Sequence, residues 1–191
     1  MTHITIIGTG NMGQEIAKIA VAGGHTIEQL DTSDADRAVT GDIVVLAVPY
    51  PAVADIIATR GDSLAGKVVV DITNPLDFET FDSLVVPADG SAAAEIAAAL
   101  PQSKVLKAFN TNFAATLASG TVGPVPTTVL IAGDDTAAKA VLAGIVTAGG
   151  LNAIDAGTLR RARELEAVGF LQLTLAAGEK ISWTGGFGLV S

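Results

Sequence analysis

Cysteine is absent from this 191-residue sequence, and its absence excludes disulfides, thiolate zinc sites and a cysteine nucleophile. Aromatic residues make up only 4% of the chain and charged residues only 16%, while 49% of the residues are hydrophobic. A core must therefore be built mainly from Ala, Val, Ile and Leu. A chain of this length can bury such a core as one domain without cross-links.

Positive charge is also scarce, with 11 Lys and Arg against 20 Asp and Glu and a net charge of -9. This charge would repel phosphate backbones and anionic lipid surfaces, so we expect no nucleic-acid partner and no membrane partner. The best apolar run, Ile43 to Ala54, is interrupted by Pro49, Tyr50 and Pro51. Because the chain opens without the basic region and cleavage site of a signal peptide, we expect a cytoplasmic protein. We predict no metal site.

One glycine turn carries a recognisable motif. An apolar strand, Ile4 to Ile7, runs into Gly8-Thr9-Gly10-Asn11-Met12-Gly13 and then into a helical pattern. In such a G-x-G-x-x-G motif the first glycine allows a tight turn, the second lets a pyrophosphate approach the backbone, and the third lets the helix pack close to the sheet. The helix then directs unpaired N–H groups and the positive end of its dipole at the phosphates. The flanking strand and helix favour a dinucleotide site over an ordinary turn.

Strand and helix patterns alternate along the rest of the chain. Further strands are predicted at 25–30, 42–48, 67–72, 104–109, 127–132 and 151–154, and a final helix of about twenty residues from Leu159 towards Gly178. The alternation, without hairpin patterns, predicts an α/β fold: a doubly wound parallel sheet of the Rossmann type with a C-terminal helical extension. Residues 1–157 would form the dinucleotide-binding domain, and residues 158–191 a helix and tail that pack on it or on a partner subunit.

In an open parallel sheet, ligands bind beyond the carboxyl ends of the strands, where the strand order switches. The pyrophosphate would therefore contact the glycine turn, at Gly8, Thr9, Gly10, Asn11, Met12 and Gly13. The adenosine ribose would contact Asp31, Thr32 and Ser33. The nicotinamide would contact the ends of later strands, at Val48, Pro49, Tyr50, Thr73, Asn74, Pro75 and Asn110. A second substrate would meet Thr111, Asn112 and Trp183.

Asp31 bears on the choice of cofactor. It follows Gly13 by 18 residues, close to the spacing at which an acid accepts hydrogen bonds from a ribose 2′-OH. A carboxylate there repels a 2′-phosphate and favours NAD(H) over NADP(H), and Arg37 is the only nearby cation that could offset the repulsion. The alternative is a helix cap or a solvated loop acid, because the connection to the next strand is short and any helix in it should be short or absent.

No general acid is obvious among these residues, and we assign no catalytic residue. Lys107 is the best candidate proton donor, although a lysine near a strand end more often snorkels to solvent. Tyr50, the second weak candidate, could stack near the cofactor or simply cover apolar surface. A lining of amides, hydroxyls and small apolar groups suits hydride transfer between two bound rings, where positioning does most of the work.

The C-terminal helix carries two patterns. Its charged start, Arg160 to Glu166, is typical of a solvated face with (i, i+4) pairs such as Arg160 with Glu164. Its apolar part, Phe170 to Leu175, supplies more apolar surface than one packing face needs. With the aromatic residues of the tail, this surface could form a dimer contact or fold back on its own domain.

Together these residues resemble the deazaflavin-dependent NADP reductases of the coenzyme F-420 type, and the reductase domain of the six-transmembrane metalloreductases. The matching segments span nearly the whole chain in order, at 7–13, 70–75, 105–110, 133–135, 155–157 and 185–189. The resemblance implies a Rossmann fold, often dimeric, that passes hydride between NADP(H) and a deazaflavin or flavin. It implies nucleotide contacts at Thr9, Asn11, Met12, Val48, Pro49, Asn74 and Asn110.

The sequence departs from that family where a 2′-phosphate would bind, because Leu30-Asp31-Thr32 replaces the usual Gly-Ser-Arg or similar basic turn. The leading hypothesis is an NAD(P)H-dependent oxidoreductase, expected to be a homodimer, that transfers hydride between the nicotinamide and a ring-shaped acceptor such as a deazaflavin or flavin. One alternative is a reductase of a small imine or carbonyl. The non-enzymatic alternative is an NAD(P)H-binding sensor or regulatory module.

Overall fold

A computed structural model describes residues 1–34 and 37–190 of the chain. Within these residues nine strands alternate with six helices. Their bounds are β1 His3–Ile7, α1 Asn11–Ala22, β2 Thr26–Leu30, β3 Ile43–Leu46, α2 Val53–Leu64, β4 Val68–Asp71, α3 Ala92–Ala99, β5 Lys104–Lys107, α4 Ala114–Ser119, β6 Thr121–Val122, β7 Val125–Pro126, β8 Thr128–Gly133, α5 Thr136–Ala148, β9 Asn152–Gly157 and α6 Ala162–Ala177. Short 3-10 turns lie at Thr32–Asp34, Tyr50–Ala52 and Leu159–Arg161.

Seven of these strands form one sheet, in the order β2-β1-β3-β4-β5-β8-β9. The predicted α/β fold with a C-terminal helix is confirmed, but one pair departs from the all-parallel expectation, because β8 runs antiparallel to β5. A parallel neighbour needs a crossover to the opposite edge of the sheet. The segment between these two strands contains only the six-residue α4 and the small β6–β7 hairpin, which the sequence had not predicted.

The strand order places the switch point at β1. The chain goes from β1 to β2 on one side and then returns to β3 on the other side of β1. Ile7, the last residue of β1, is paired with Leu30 and with Leu46, so the three carboxyl ends reach the same edge. Ligands of doubly wound sheets bind in the crevice that opens at such an edge.

The core has one apolar cluster on each face of the sheet. All four residues of β3 are buried, as the continuous β-branched run predicted for a strand covered on both faces. Val44 and Leu46 pack with residues of α2 and α3, whereas Ile43 and Val45 pack with residues of α1 and α5. Alternate side chains of a strand point to opposite faces, so helices cover both.

Two helices begin at a capping side chain. Ser91 Oγ accepts from the backbone N–H of Ala94 at 3.0 Å and begins α3. Asp135 caps α5, with its Oδ1 2.8 Å from the backbone nitrogen of Ala138. The β2–β3 connection holds only a 3-10 turn in its described part, in keeping with the expected short or absent helix. None of the described helices is both long enough and apolar enough to cross a bilayer.

Candidate functional site

The glycine turn between β1 and α1 depends on two close backbone approaches. Gly8 has a φ of 120°, and a Cβ added there would lie 2.1 Å from the carbonyl oxygen of Ala47. A Cβ on Gly13 would lie 2.4 Å from the carbonyl oxygen of Gly8. The fold itself therefore requires both glycines. Gly10 differs, because in the described structure a Cβ there meets no atom within 4 Å. The space beside Gly10 is open to a ligand.

Helix α1 directs its first amides into this space. It begins at Asn11, with Gly10 as its N-cap and without a capping side chain. The first N–H groups of a helix lack intrahelical partners, and the helix dipole adds partial positive charge there. Gln14 Nε2 donates to the carbonyl oxygen of Thr9 at 2.9 Å and fixes the turn. This arrangement can bind a diphosphate.

A pocket of about 370 Å³ adjoins the turn. It is lined by Ile7, Gly8, Thr9, Asp31, Val48, Ala52, Asp55, Ile56, Thr59 and Arg60. Four of the predicted cofactor-binding residues are among them. The apolar side chains of Ile7, Val48 and Ile56 suit a flat ring such as adenine, and the carboxylates of Asp31 and Asp55 are exposed.

The two arginines near Asp31 already have partners. Arg37 donates to Asp34 at 3.1 Å and to Glu28 at 3.2 Å. Arg60 is buried and donates to the backbone carbonyl oxygens of Arg37, at 2.6 Å, and of Asp34. Both guanidinium groups therefore already donate to other groups of the protein, and Arg60 also lines the pocket.

Asp31 itself shapes the 3-10 turn that follows β2. Its Oδ1 accepts from the backbone N–H of Ser33 at 2.7 Å and from the Ser33 hydroxyl at 2.6 Å. This is the turn-capping arrangement weighed as the alternative to a ribose contact, yet the carboxylate also lines the pocket. Thr32 belongs to the same turn, and its side chain lies outside the described part of the structure.

A second pocket, of about 450 Å³, lies beside the first turn of α1. It is lined by Asn11, Met12, Ile72, Asn74, Phe109, Asn110, Asn112, Phe113, Ala114, Ala115, Leu173 and Trp183. The tertiary structure thus brings together six predicted site residues: Asn11, Met12, Asn74, Asn110, Asn112 and Trp183. Eight other predicted residues line neither pocket in the described structure: Gly10, Gly13, Ser33, Pro49, Tyr50, Thr73, Pro75 and Thr111.

The polar wall of this pocket is a reciprocal pair of amides. Asn74 Nδ2 donates to the carbonyl oxygen of Asn110 at 2.9 Å, and Asn110 Nδ2 donates to Asn74 Oδ1 at 3.0 Å and to the carbonyl oxygen of Leu165 at 2.8 Å. Among the described side chains, the buried Oδ1 atoms of Asn110 and Asn112 and the Oγ1 of Thr73 lack a hydrogen-bond partner. An unsatisfied buried polar atom costs about 1–3 kcal/mol. Asn110 and Asn112 line the pocket, and a ligand with N–H donors, such as a carboxamide, would be a suitable partner for their free acceptors.

The backbone is strained directly before this pair. Phe109 is buried and has a φ of 62°, a conformation that residues with a side chain rarely adopt. The amide of Asn110 donates to the carbonyl oxygen of Ala108 at 2.8 Å across the strained residue. Such strain is concentrated at functional sites, where the surrounding structure enforces it.

Lys107 has three partners within the protein. Its side chain is fully buried, and its Nζ lies 2.8 Å from Asp71 Oδ2 and 2.8 Å from Glu166 Oε1 and donates to the carbonyl oxygen of Thr73. Three acceptors satisfy the three donors of the ammonium group, so none remains for a substrate. The expectation that Lys107 snorkels to solvent is wrong, because two buried carboxylates hold the charge inside. The structure also contradicts the suggestion that Lys107 donates a proton to a substrate.

Glu166 corrects the expected solvated face of the C-terminal helix. It is only 1% exposed, and its two carboxylate oxygens accept from the N–H groups of Ala92 at 2.9 Å and Ala93 at 3.2 Å, at the start of α3. Burial raises the pKa of the Glu166 carboxyl above its ordinary value, although Lys107 and the Ala92 amide oppose the rise.

Tyr50 does not line the second pocket, which we call the amide pocket after its Asn74 and Asn110 side chains. Its hydroxyl donates to Glu95, and its ring lines an apolar groove between α2 and α3. Burial, followed by the neighbouring Glu95 carboxylate, raises the pKa of the Tyr50 hydroxyl well above its usual value. The structure therefore favours the interpretation that Tyr50 covers apolar surface, and its hydroxyl stays protonated.

The open side of the amide pocket carries the single tryptophan. The rings of Trp183 and Phe113 have centroids 5.1 Å apart at an interplanar angle of 51°, and Trp183 is 52% exposed. An exposed aromatic ring at a pocket offers a surface on which another flat ring can stack.

Sequence reasoning missed three residues of α6 that contact the residues forming or supporting the wall of the amide pocket. Glu166, Gly169 and Gln172 are buried at intervals of three residues. Their signal was present as a glycine and two polar residues on one face of an apolar helix. In the described structure, residues 1–34 and 37–190, no group of three or more His, Cys, Asp or Glu side chains is placed to hold a metal ion.

Comparison with known proteins connects these features to a family. Residues 27–75 match the family model described as NADP oxidoreductase, coenzyme F420-dependent. The F420-dependent NADP reductase of Methanocaldococcus jannaschii is 34% identical over 154 residues, which cover 78% of this chain and 69% of that protein. Metalloreductase STEAP3 of Rattus norvegicus is 27% identical over 180 residues, which cover 86% of this chain but only 36% of that protein.

A solved structure extends the likeness to the whole chain. The crystal structure of a protein from Arthrobacter sp. FB24, named a candidate F420-dependent NADP reductase, is 26% identical. It superposes with a TM-score of 0.86, covering 100% of both chains. The chain therefore belongs to the family of F420-dependent NADP reductases and is an NAD(P)-dependent oxidoreductase.

Proposed function

We propose that this chain transfers hydride between NAD(P)H and a ring-shaped acceptor, a deazaflavin or a flavin, bound in the amide pocket beside Trp183. The observation that carries the proposal is the arrangement of the two pockets. One adjoins the glycine turn and the other lies at the start of the same helix, so a dinucleotide across the turn would place its nicotinamide beside the acceptor. The names of the relatives support a deazaflavin as the acceptor.

The residues of the amide pocket orient the two rings and exclude water, and they exchange no protons with the rings. When bound, the reduced nicotinamide supplies a hydride from its C4 to the acceptor ring, and the proton that completes the reduced acceptor comes from water. Asn74 and Asn110 offer the polar contacts that fix a carboxamide, while Met12, Ile72 and Leu173 shield the transfer from solvent. The described lining contains no acid or base. This favours ring-to-ring transfer over reduction of a small imine or carbonyl, in which a donor must protonate the developing charge.

The pocket at Asp31 supports a preference for NAD(H). The Asp31 and Asp55 carboxylates would repel a 2′-phosphate, and Arg37 and Arg60 are already bound by other groups. A ribose 2′-OH, in contrast, can donate to a carboxylate. The relatives are named NADP reductases, so this preference would separate the chain from them.

A homodimer is part of the proposal. Val168 and Leu171 leave apolar surface of α6 exposed, and Phe187 in the tail adds to it. Light scattering coupled to gel filtration tests this point. A monomer at micromolar concentrations would contradict it.

Turnover separates the proposed function from its alternatives. Oxidation of NADH and NADPH should be followed by absorbance with coenzyme F420, FMN and a panel of small imines and ketones. We expect turnover with F420 or FMN and none with the small substrates. Turnover with imines or ketones alone would favour the second enzymatic function. Tight binding of the reduced cofactor without turnover on any acceptor would favour the sensor.

A further inference from the structure

Helix α6 presents three buried residues, Glu166, Gly169 and Gln172, to the back of the amide pocket. Their spacing of three places them on one face of the helix. The buried face of a helix is ordinarily apolar, because a polar group loses free energy on burial unless it is hydrogen-bonded. We propose that these three are positioning residues for the nicotinamide and the acceptor, although none of them lines the pocket. The inference rests on the proposed function, which assigns both rings to this pocket.

Gly169 sets the distance between α6 and the amide pair. A Cβ added there would lie 2.3 Å from Asn74 Oδ1, 2.9 Å from the carbonyl oxygen of Asn110 and 3.0 Å from Asn110 Nδ2. The helix backbone therefore rests directly on both amides. Since glycine in a helix interior is unfavourable relative to alanine, this contact is the physical reason for a glycine here.

Glu166 fixes the segments that present the amides. It binds the ammonium group of Lys107 at the end of β5, and Lys107 in turn binds Asp71 and the carbonyl oxygen of Thr73. Asn74 follows Thr73 directly, and Asn110 lies three residues beyond Lys107. One carboxylate on α6 therefore holds the roots of both amide-bearing loops.

Gln172 holds the acceptor side of the pocket. Its Nε2 donates to the carbonyl oxygen of Thr111 at 3.2 Å, and its Oε1 accepts from the N–H of Phe187 at 3.0 Å. Thr111 precedes Asn112, and Phe187 belongs to the tail that carries Trp183. Gly169 should thus govern the nicotinamide half of the site, and Gln172 the acceptor half.

Gly169→Ala tests the first half by binding alone. The added methyl group must displace α6 or the amide pair, so the Kd for NADH and for NADPH, measured by calorimetry, should rise about tenfold. The Kd for ADP-ribose, which lacks the nicotinamide, should stay within about twofold of the wild-type value. Gly144→Ala in α5 is the matched control, because its Cβ would meet no described atom within 4 Å, and it should change neither constant.

Gln172→Leu tests the second half and does not depend on the folding of the glycine variant. The side chain keeps its approximate size but loses both hydrogen bonds. We expect the KM for the active ring acceptor to rise about fivefold, while the Kd for the better dinucleotide stays within about twofold.

The outcomes separate the inference from the proposed function. The positioning role of Gly169 would be overturned if Gly169→Ala changed the Kd for the dinucleotides and the Kd for ADP-ribose equally. The role of Gln172 would be overturned if Gln172→Leu changed the acceptor KM and the dinucleotide Kd by the same factor, or changed neither. The proposed function would then stand, provided that the wild type transfers hydride. Both the inference and the proposed function would be overturned if the wild type bound NADH and NADPH no more tightly than ADP-ribose and reduced no ring acceptor.

Discussion

The ammonium group of Lys107 and the carboxylate of Glu166 lie 2.8 Å apart, and both side chains are withdrawn from water. The pair joins the end of β5 to the buried face of α6, and Asp71 on β4 completes it. Charges are stable in such surroundings only when partners compensate for the lost hydration. The loops that carry the amide pocket therefore start from a buried cluster in which one ammonium group lies between two carboxylates.

Replacing Lys107 should expose the cost of this arrangement. Lys107→Met leaves two buried carboxylates without their shared cation, and breaking a buried pair costs about 3–5 kcal/mol of unfolding free energy. Urea unfolding at neutral pH measures the loss. Lys139→Met is the matched control, because its partner Asp155 is 55% exposed, so the change should cost only about 1 kcal/mol or less. Equal losses in the two variants would contradict the burial argument.

Two glycines of the turn should separate folding from binding. Gly10→Val places its side chain in the open space beside the turn, so we expect an unchanged thermal midpoint and no detectable binding of NADH or NADPH by calorimetry. Gly8→Ala instead forces a Cβ against the carbonyl oxygen of Ala47, so it should lower the thermal midpoint. Unchanged affinity in Gly10→Val would overturn the assignment of the diphosphate site.

Asp31 should control the preference between the two dinucleotides. We expect the wild type to bind NADH more tightly than NADPH, and Asp31→Asn to narrow the ratio of the two Kd values about tenfold, because one charge facing the 2′-phosphate is removed. Asp62→Asn, which removes an exposed charge outside this pocket, is the control and should leave the ratio unchanged. Tighter binding of NADPH, unaltered in Asp31→Asn, would refute the role.

The single tyrosine allows a direct test of the groove between α2 and α3. Burial and the Glu95 carboxylate raise the pKa of Tyr50 in the folded state, so phenolate absorbance should develop above the usual value of about 10. Glu95→Gln should lower the midpoint, and the urea-unfolded chain should titrate near 10. A native midpoint at or below that of the unfolded chain would contradict the contact.

The sign of the linkage follows from the same shift. A folded-state pKa raised above the unfolded value means that the neutral hydroxyl is favoured by folding. Its contribution to stability is therefore complete below the unfolded pKa and is lost as the pH rises through the folded one. Tyr50→Phe should remove this loss, so the stability gap between wild type and variant should change only at alkaline pH.

Local patterns predicted the elements but not every direction. The strand Ile43–Leu46 and the final helix lie close to their predicted places, since periodicity is a property of neighbouring residues. The direction of β8 was missed because a strand reads the same whether its neighbour is parallel or antiparallel. Direction depends on how the connecting segment crosses the sheet.

For the site, too, local sequence predicted which residues take part but not how they contact one another. Asn74 and Asn110 were predicted at the pocket from their positions after two strands, and the structure places both in its lining. Their mutual hydrogen bonds, and the helix backbone that rests on them at Gly169, join residues far apart in the chain. No sequence pattern specifies such contacts.

The sequence alone determined the glycine turn, because the spacing of Gly8, Gly10 and Gly13 after an apolar strand is a local pattern, whereas the close approach of Ala47 to Gly8 belongs to the tertiary structure. Only the tertiary structure decided that Lys107 and Glu166 are buried partners rather than surface charges. A buried charge is stable only when a partner compensates for its lost hydration, and the partner of Lys107 lies on α6, near the end of the chain.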